Sequence, residues 1–156
     1  MPLAKLREFL DGHHVQYVTI THSPAYSAQM VAASTHTPGK EFAKSVMVKL
    51  DGKMTMAVLP ACHLIDFDRL KEVAGASSAE LAHEDEFATI FPGCEVGAMP
   101  PFGNLYGLGM LVDEALTDNR EIAFNAGSHR ELMRLAYHDY EKLVKPRVVP
   151  FSYQVL

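Results

Sequence analysis

The pair Asp51-Gly52, flanked by apolar runs within residues 41–59 (EFAKSVMVKLDGKMTMAVL), constrains this chain more than any other stretch. Both central residues of a two-residue hairpin turn need positive φ, which Asp and Gly supply, so the segment predicts a β-hairpin. Side chains alternate across a strand, which puts Lys44 on the face of Val46, Val48 and Leu50, and a two-residue register sets Leu59 opposite it. An ammonium on an apolar face must reach water or lie near something negative, because leaving it dry and unpaired costs several kcal/mol. Lys44, at the entry of the strand, is therefore the first candidate for function.

The chain has 156 residues, 48% of them hydrophobic and 21% charged, with no low-complexity tract. One compact domain spanning residues 1–156 is expected. No run of about 18 apolar residues occurs, so no membrane association is expected. Cys62 and Cys94 lack CxxC spacing, which suits a reducing compartment, and a cytoplasmic location is expected. A net charge of −5 argues against a protein that wraps nucleic acid, since such binding is mostly phosphate neutralisation; reading one end of an RNA is compatible with it.

Leu3, Leu6, Phe9 and Leu10 share one face of a first helix that opens at Pro2 and ends at Gly12, and Val15 to Ile20 reads as a strand. Ser27 is a good N-cap for a small-residue helix that Pro38-Gly39 ends. The second hairpin arm, from Met54 to Leu59, should stop at Pro60, which has no N–H for a central ladder. Asp66 caps a helix, FDRLKEVA, that ends at Gly75. A short strand is expected in AELA, a small helix in EDEFATIF, and strands at Met110 to Asp113 and Glu121 to Asn125 with a turn at 117–119. The tail admits two readings. Ser128 to Glu131 fits a capping box, and Leu132, Leu135, Ala136 and Leu143 follow a helical stripe, which favours one long helix. ELMRLAY would also serve as a strand before a helix, HDYEKLV.

Between Cys94 and Gly109 lies CEVGAMPPFGNLYGLG, too rich in glycine and proline for regular structure. Gly97 permits close backbone approach, Pro100 and Pro101 stiffen the loop without supplying N–H groups, and Gly97, Ala98 and Met99 are the available donors. Such a loop can cradle a carbonyl oxygen or a phosphate. The eight histidines form no HxxxH or HExxH pattern, so no metal site is expected. Cys62-His63 is a poor nucleophile–base pair because adjacent side chains point apart, and GxSxG, P-loop and GxGxxG motifs are absent from the sequence.

The lysine heading a strand in AKSVMVK, followed about fifty residues later by a G-x-x-x-P loop, GAMPP with FG after it, resembles the YbaK/ProX family. These are the freestanding relatives of the bacterial prolyl-tRNA synthetase editing domain. The order of HSPAYSAQMVA, lysine hairpin, PPFG loop, LVDEAL and IAFNAG is also similar to that family across nearly the whole chain. The resemblance implies an α/β fold with a mixed, barrel-like sheet surrounded by short helices, and a strand followed by a short helix in the tail. It implies deacylation of mischarged aminoacyl-tRNA by a positioned water and a ribose hydroxyl, with no metal or organic cofactor.

Residue by residue, Lys44 matches the family's functional lysine and Gly97 and Pro101 match the G-x-x-x-P motif. Lys44 would hold the substrate's backbone or terminal nucleotide, and the Gly97 N–H would orient the ester carbonyl. Ser45, Asn125, Gly127 and Ser128 lie where relatives build the pocket, and His22 is a further substrate-binding candidate. The expected partner is the aminoacyl 3′ end of a mischarged tRNA, carrying Ala, Cys or Ser, with a synthetase or elongation factor supplying additional affinity. The alternative is a catalytically silent binding module of the same fold, for an aminoacyl-nucleotide or a tRNA 3′ end.

Overall fold

A computed structural model describes residues 2–21, 38–95 and 97–155. The first helix, α1 (Pro2–Gly12), buries Leu6 and Leu10, four residues apart on one face, and β1 (Tyr17–Thr21) follows. His22 and the helix expected after Ser27 lie outside the described residues.

The hairpin is present as read. Strands β2 (Ala43–Leu50) and β3 (Lys53–Pro60) pair antiparallel, with Lys44 opposite Leu59 and Leu50 opposite Lys53. Asp51 and Gly52 have φ of 52° and 80°, the two positive values of a type I′ turn. The Asp51 carboxylate also accepts from the N–H groups of Ser77 and Ser78, each at 2.9 Å, tying the turn to a distant loop. Pro60 closes the ladder opposite Ala43.

Both faces of the hairpin are covered. Ala43, Met47, Met56 and Val58 join the main core with Phe102 and Phe124, while Val48, Ala57 and Leu59 pack with Leu70, Leu111 and Phe151. This burial on two sides explains a nearly unbroken apolar run.

Next come β4 (His63–Ile65), α2 (Phe67–Ala74), β5 (Ala79–Leu81) and the one-turn α3 (Glu84–Phe87). Asp66 caps α2 by accepting from the Arg69 N–H at 3.1 Å, and Gly75 ends it with φ of 68°. The helix expected over EDEFATIF stops after Phe87, and its remainder is turn. Gly103–Tyr106 is a 3₁₀ turn, then β6 (Gly109–Asp113) leads through a second 3₁₀ turn, Glu114–Asp118, to β7 (Glu121–Asn125). That second turn occupies part of the stretch expected to be a simple turn at 117–119.

The tail settles as β8 (Glu131–Ala136) and α4 (Tyr137–Val144), followed by β9 (Arg147–Val149) and β10 (Ser152–Gln154). The single long helix suggested by periodicity is not formed. Strand β8 lies between β1 and β7, with Met133 and Leu135 facing the main core and Leu132 facing a smaller one. A strand buried on both faces can imitate a helical stripe, because apolar residues then fall at spacings of three and four.

One sheet has the order β5-β2-β3-β6-β9, mixed because β3, β6 and β9 run parallel while β5, β2 and β3 alternate. A second, antiparallel sheet is β1-β8-β7, and β10-β4 forms a ribbon. A bridge between Phe42 and Ala123 joins the two larger sheets, with the Ala123 N–H donating to Glu41 O at 3.0 Å. The mixed sheet with surrounding helices is as expected, but the barrel is not closed. Among the described residues, no helix is long and apolar enough to cross a membrane.

Candidate active site

Lys44 is the second residue of β2 and half-buried. Its Nζ donates to the carbonyl of Ala61 at 3.5 Å, a long bond that leaves much of the donor capacity for another acceptor. Burial pulls the ammonium below the usual lysine range, and the nearby Cys62 thiol partly opposes that shift. His63 is held low by burial, with Asp113 raising it and Lys44 lowering it again. The His63 Nδ1 lies 2.8 Å from Ser152 Oγ, so its ring is engaged with β10 rather than with the neighbouring thiol.

Ser45 points to the opposite face of β2. Its Oγ is buried and has no hydrogen-bond partner among the described residues. It lines a cavity of about 200 Å³ with Met47, Leu81, Phe87, Gly97 and Met99. Phe87 is brought there by α3, which is fastened to β2 by Lys49 bonding Glu86 at 2.7 Å.

The Gly97 backbone has φ of 81°, the left-handed region that glycine enters without steric cost. The loop is tied from both sides. Glu95 N–H donates to Gly127 O, and Gly127 N–H donates to Ala98 O, each at 2.9 Å. The Ala98 N–H is spent on Glu95 O at 3.0 Å, which corrects the expectation of three donors facing a ligand. No hydrogen bond of the Gly97 or Met99 N–H is found among the described residues.

Ala98 is fully buried, and the carbonyl of buried Pro101 accepts from Tyr140 Oη at 2.7 Å. These two residues therefore support the loop from behind and do not line the cavity. Asn125, at the end of β7, is buried with its Oδ1 lacking a hydrogen-bond partner among the described residues. Ser128 Oγ accepts from the Arg130 N–H at 3.2 Å, so it orders the loop in place of capping a helix.

The sequence reading missed His129. A Cβ placed on Gly97 would lie 3.7 Å from its Cε1, and its N–H donates to Glu95 Oε2 at 3.2 Å. The signal for it was the short connection between two strands, visible only once the tail is read as β8.

Lys44 lines a separate groove of about 310 Å³, which adjoins the Ser45–Gly97 cavity through Val46 and Leu81, common to both. Three distant segments thus meet around the start of β2. A cation and a buried hydroxyl project to its two sides, and Gly97 lines the cavity on the hydroxyl's side. A larger open groove of about 740 Å³ between α1, β1 and β8 contains none of these residues.

A lysine at a strand entry, a glycine loop on the other side of that strand and a mixed α/β scaffold define a class, and residues 22–143 match it: the chain belongs to the aminoacyl-tRNA editing domain family. It is 28% identical over 152 residues to the Escherichia coli protein named multifunctional Ser/Thr-tRNA deacylase ProXp-y, covering 94% of this chain and 90% of the relative. Against proline–tRNA ligase of Bacillus mycoides it is 29% identical over 86 residues, 55% of this chain and 15% of the ligase. The fold is similar to that of the hypothetical protein APE2540, with a TM-score of 0.85, 20% identity and coverage of 96% and 99% of the two chains. A candidate trans-editing enzyme for prolyl-tRNA synthetase superposes with a TM-score of 0.81 at 18% identity, covering 97% of each chain.

Proposed function

We propose that this protein hydrolyses the ester of a mischarged aminoacyl-tRNA in trans, acting on a small hydroxyl amino acid such as serine or threonine. The observation that carries the reading is the buried Ser45 Oγ, unpartnered among the described residues, in a cavity otherwise mainly apolar and bordered by the Gly97 backbone. A buried hydroxyl without a partner costs about 1–3 kcal/mol, and a substrate hydroxyl relieves that cost where a methyl group does not. The name of the Escherichia coli relative supports the same substrate class.

In the reaction, water adds to the ester carbonyl carbon, the bond from that carbon to the ribose oxygen breaks, and a proton passes to the departing ribose oxygen. The vicinal ribose hydroxyl directs the water, so the reaction requires no protein nucleophile. The Gly97 N–H donates to the carbonyl oxygen as it gains charge. Lys44, in the adjoining groove, holds the phosphate of the terminal nucleotide and thereby places the ester at the edge of β2. His129 packs close to Gly97, its Cε1 3.7 Å from where a Cβ on that glycine would lie. With a net charge of −5, most of the tRNA is left to other partners, a synthetase or an elongation factor.

Deacylation of a panel of Ala-, Cys-, Ser- and Thr-charged tRNAs tests this, using the wild type and Lys44→Ala with and without EDTA. Release of Ser or Thr, lost in Lys44→Ala and indifferent to EDTA, is expected. Retained binding of the charged end with no turnover on any tRNA would replace the enzyme by a binding module.

A further inference from the structure

We propose that the groove on the Lys44 side of β2 seats the terminal nucleobase of the acceptor end, stacked on Tyr153. The proposal rests on the deacylase reading for the identity of the nucleotide, but its test does not depend on turnover.

Five large apolar side chains are exposed among the described residues, and three of them, Leu64, Leu81 and Tyr153, converge on this groove at 48%, 58% and 50% exposure. Leu64 and Tyr153 are direct cross-strand partners in the β4–β10 ribbon, so they stand side by side on one face. Val46 and Leu59 form the floor from β2 and β3, and Lys44 is the one charged side chain among the described lining residues. Three half-exposed side chains are far too little for a protein partner, which needs about 800 Å² from each side. A volume of about 310 Å³ is that of a small-ligand site.

Of the two aromatics lining the groove, Tyr153 is the exposed one and Phe67 the more buried. One exposed flat ring, an apolar floor and one cation form the minimal set for one base and one phosphate of a single strand. The net charge of −5 disfavours a longer RNA track, so the complementarity is to one terminal nucleotide. The connectivity agrees: acyl group and base hang from one ribose, and the two cavities adjoin at Val46 and Leu81.

Tyr153 is held in place before anything binds. The Phe151 and Ser152 N–H groups donate to Asp113 Oδ1 at 2.9 and 3.0 Å. The Val155 N–H donates to Cys62 O at 2.8 Å, so β10 is fastened on both sides of the ring. A stacking platform anchored in this way loses little freedom on binding.

The sequence contains no tryptophan, so Tyr153→Trp creates a single reporter at the platform. Its emission is followed as the variant is titrated with an uncharged CCA trinucleotide and with the same oligonucleotide lacking its terminal base. Quenching by CCA, with the abasic oligonucleotide weaker by roughly 5- to 100-fold, is the expected result. Tyr153→Ser in the otherwise unchanged protein should raise KM for charged tRNA by a similar factor and leave kcat unaltered, with an unchanged thermal midpoint showing that the fold is intact. Equal affinities, or no quenching, overturn the proposal. A shift in emission that depends on protein concentration, with dimers in sedimentation, also overturns it and assigns the groove to a second copy of the chain. Base-dependent quenching with no amino acid released from any charged tRNA upholds the platform and removes the deacylase reading.

Discussion

The hydroxyl of Tyr140, fully buried on α4, donates to the carbonyl oxygen of Pro101 at 2.7 Å. The same ring meets Phe102 edge-on, with centroids 5.3 Å apart, and Phe102 meets Phe124 of β7 at 5.5 Å. A side chain near the end of the chain thus sets the height of the glycine–proline loop and couples it to the strand that carries Asn125.

Tyr140→Phe keeps the ring and removes the bond. The Pro101 carbonyl is then buried without this donor, and a stability loss of about 1–3 kcal/mol is expected. If the loop moves by even a fraction of an ångström, kcat falls further than this loss accounts for, by up to about 100-fold, with KM little changed. Denaturant unfolding and steady-state deacylation on the same preparations separate the two effects.

Gly97→Ala tests the loop itself. The added Cβ meets His129 Cε1 at an ordinary 3.7 Å, so space is not the obstacle; the φ of 81° is. The strain should cost about 1–2 kcal/mol. Turnover should drop by roughly 100-fold if the N–H at this position stabilises charge on the carbonyl. Wild-type kinetics in the variant would remove Gly97 from the mechanism.

Half-buried Lys44 is a cost to stability. Its folded pKa lies below the usual 10.5 because burial disfavours the charged form. Its favourable contribution to stability is therefore present above 10.5 and lost as pH falls through the folded value, so the penalty is complete at neutral pH. Lys44→Met is expected to melt higher than the wild type at neutral pH, with the difference shrinking as pH rises toward 10.5, while deacylation falls about 100-fold or more. Thermal melts across that pH range, read beside activity, check both parts; a lower melting point for the variant at neutral pH would contradict the account.

Asp113 is buried at the end of β6 and accepts from the N–H groups of Ala115, Phe151 and Ser152. Replacing it with Ala leaves these donors without the carboxylate, and a loss of at least about 2 kcal/mol is expected. Asp113→Asn, which keeps one acceptor oxygen, should lose less. Hydrogen exchange should rise first at Phe151 and Ser152, and unchanged protection there would contradict the anchoring role.

Much of the scaffold was legible because it depends on local chemistry. Asp51-Gly52 dictates a type I′ turn, the turn dictates the register, and the register puts Lys44 opposite Leu59. Asp66 and Gly75 delimit α2 in the same way, and the glycine–proline run around Gly97 announces an irregular loop. The resemblance supplied the order of elements and the tail, which periodicity misread because β8 is buried on both faces.

Tertiary structure alone decided how the site is shared out. Whether the Ala98 N–H faces a ligand or Glu95, whether Pro101 lines a cavity or receives Tyr140, and whether Lys44 and Gly97 open onto one cavity or two adjoining ones all depend on contacts between segments dozens of residues apart. The sequence by itself determined which residues are chemically able to act: a lysine at a strand entry, a serine beside it, and a glycine whose backbone needs no side-chain clearance. Their grouping came from packing, which brings the 94–101 loop against the 125–129 loop and β10 against β4, because hydrogen bonds and buried area between distant segments leave no trace in local spacing.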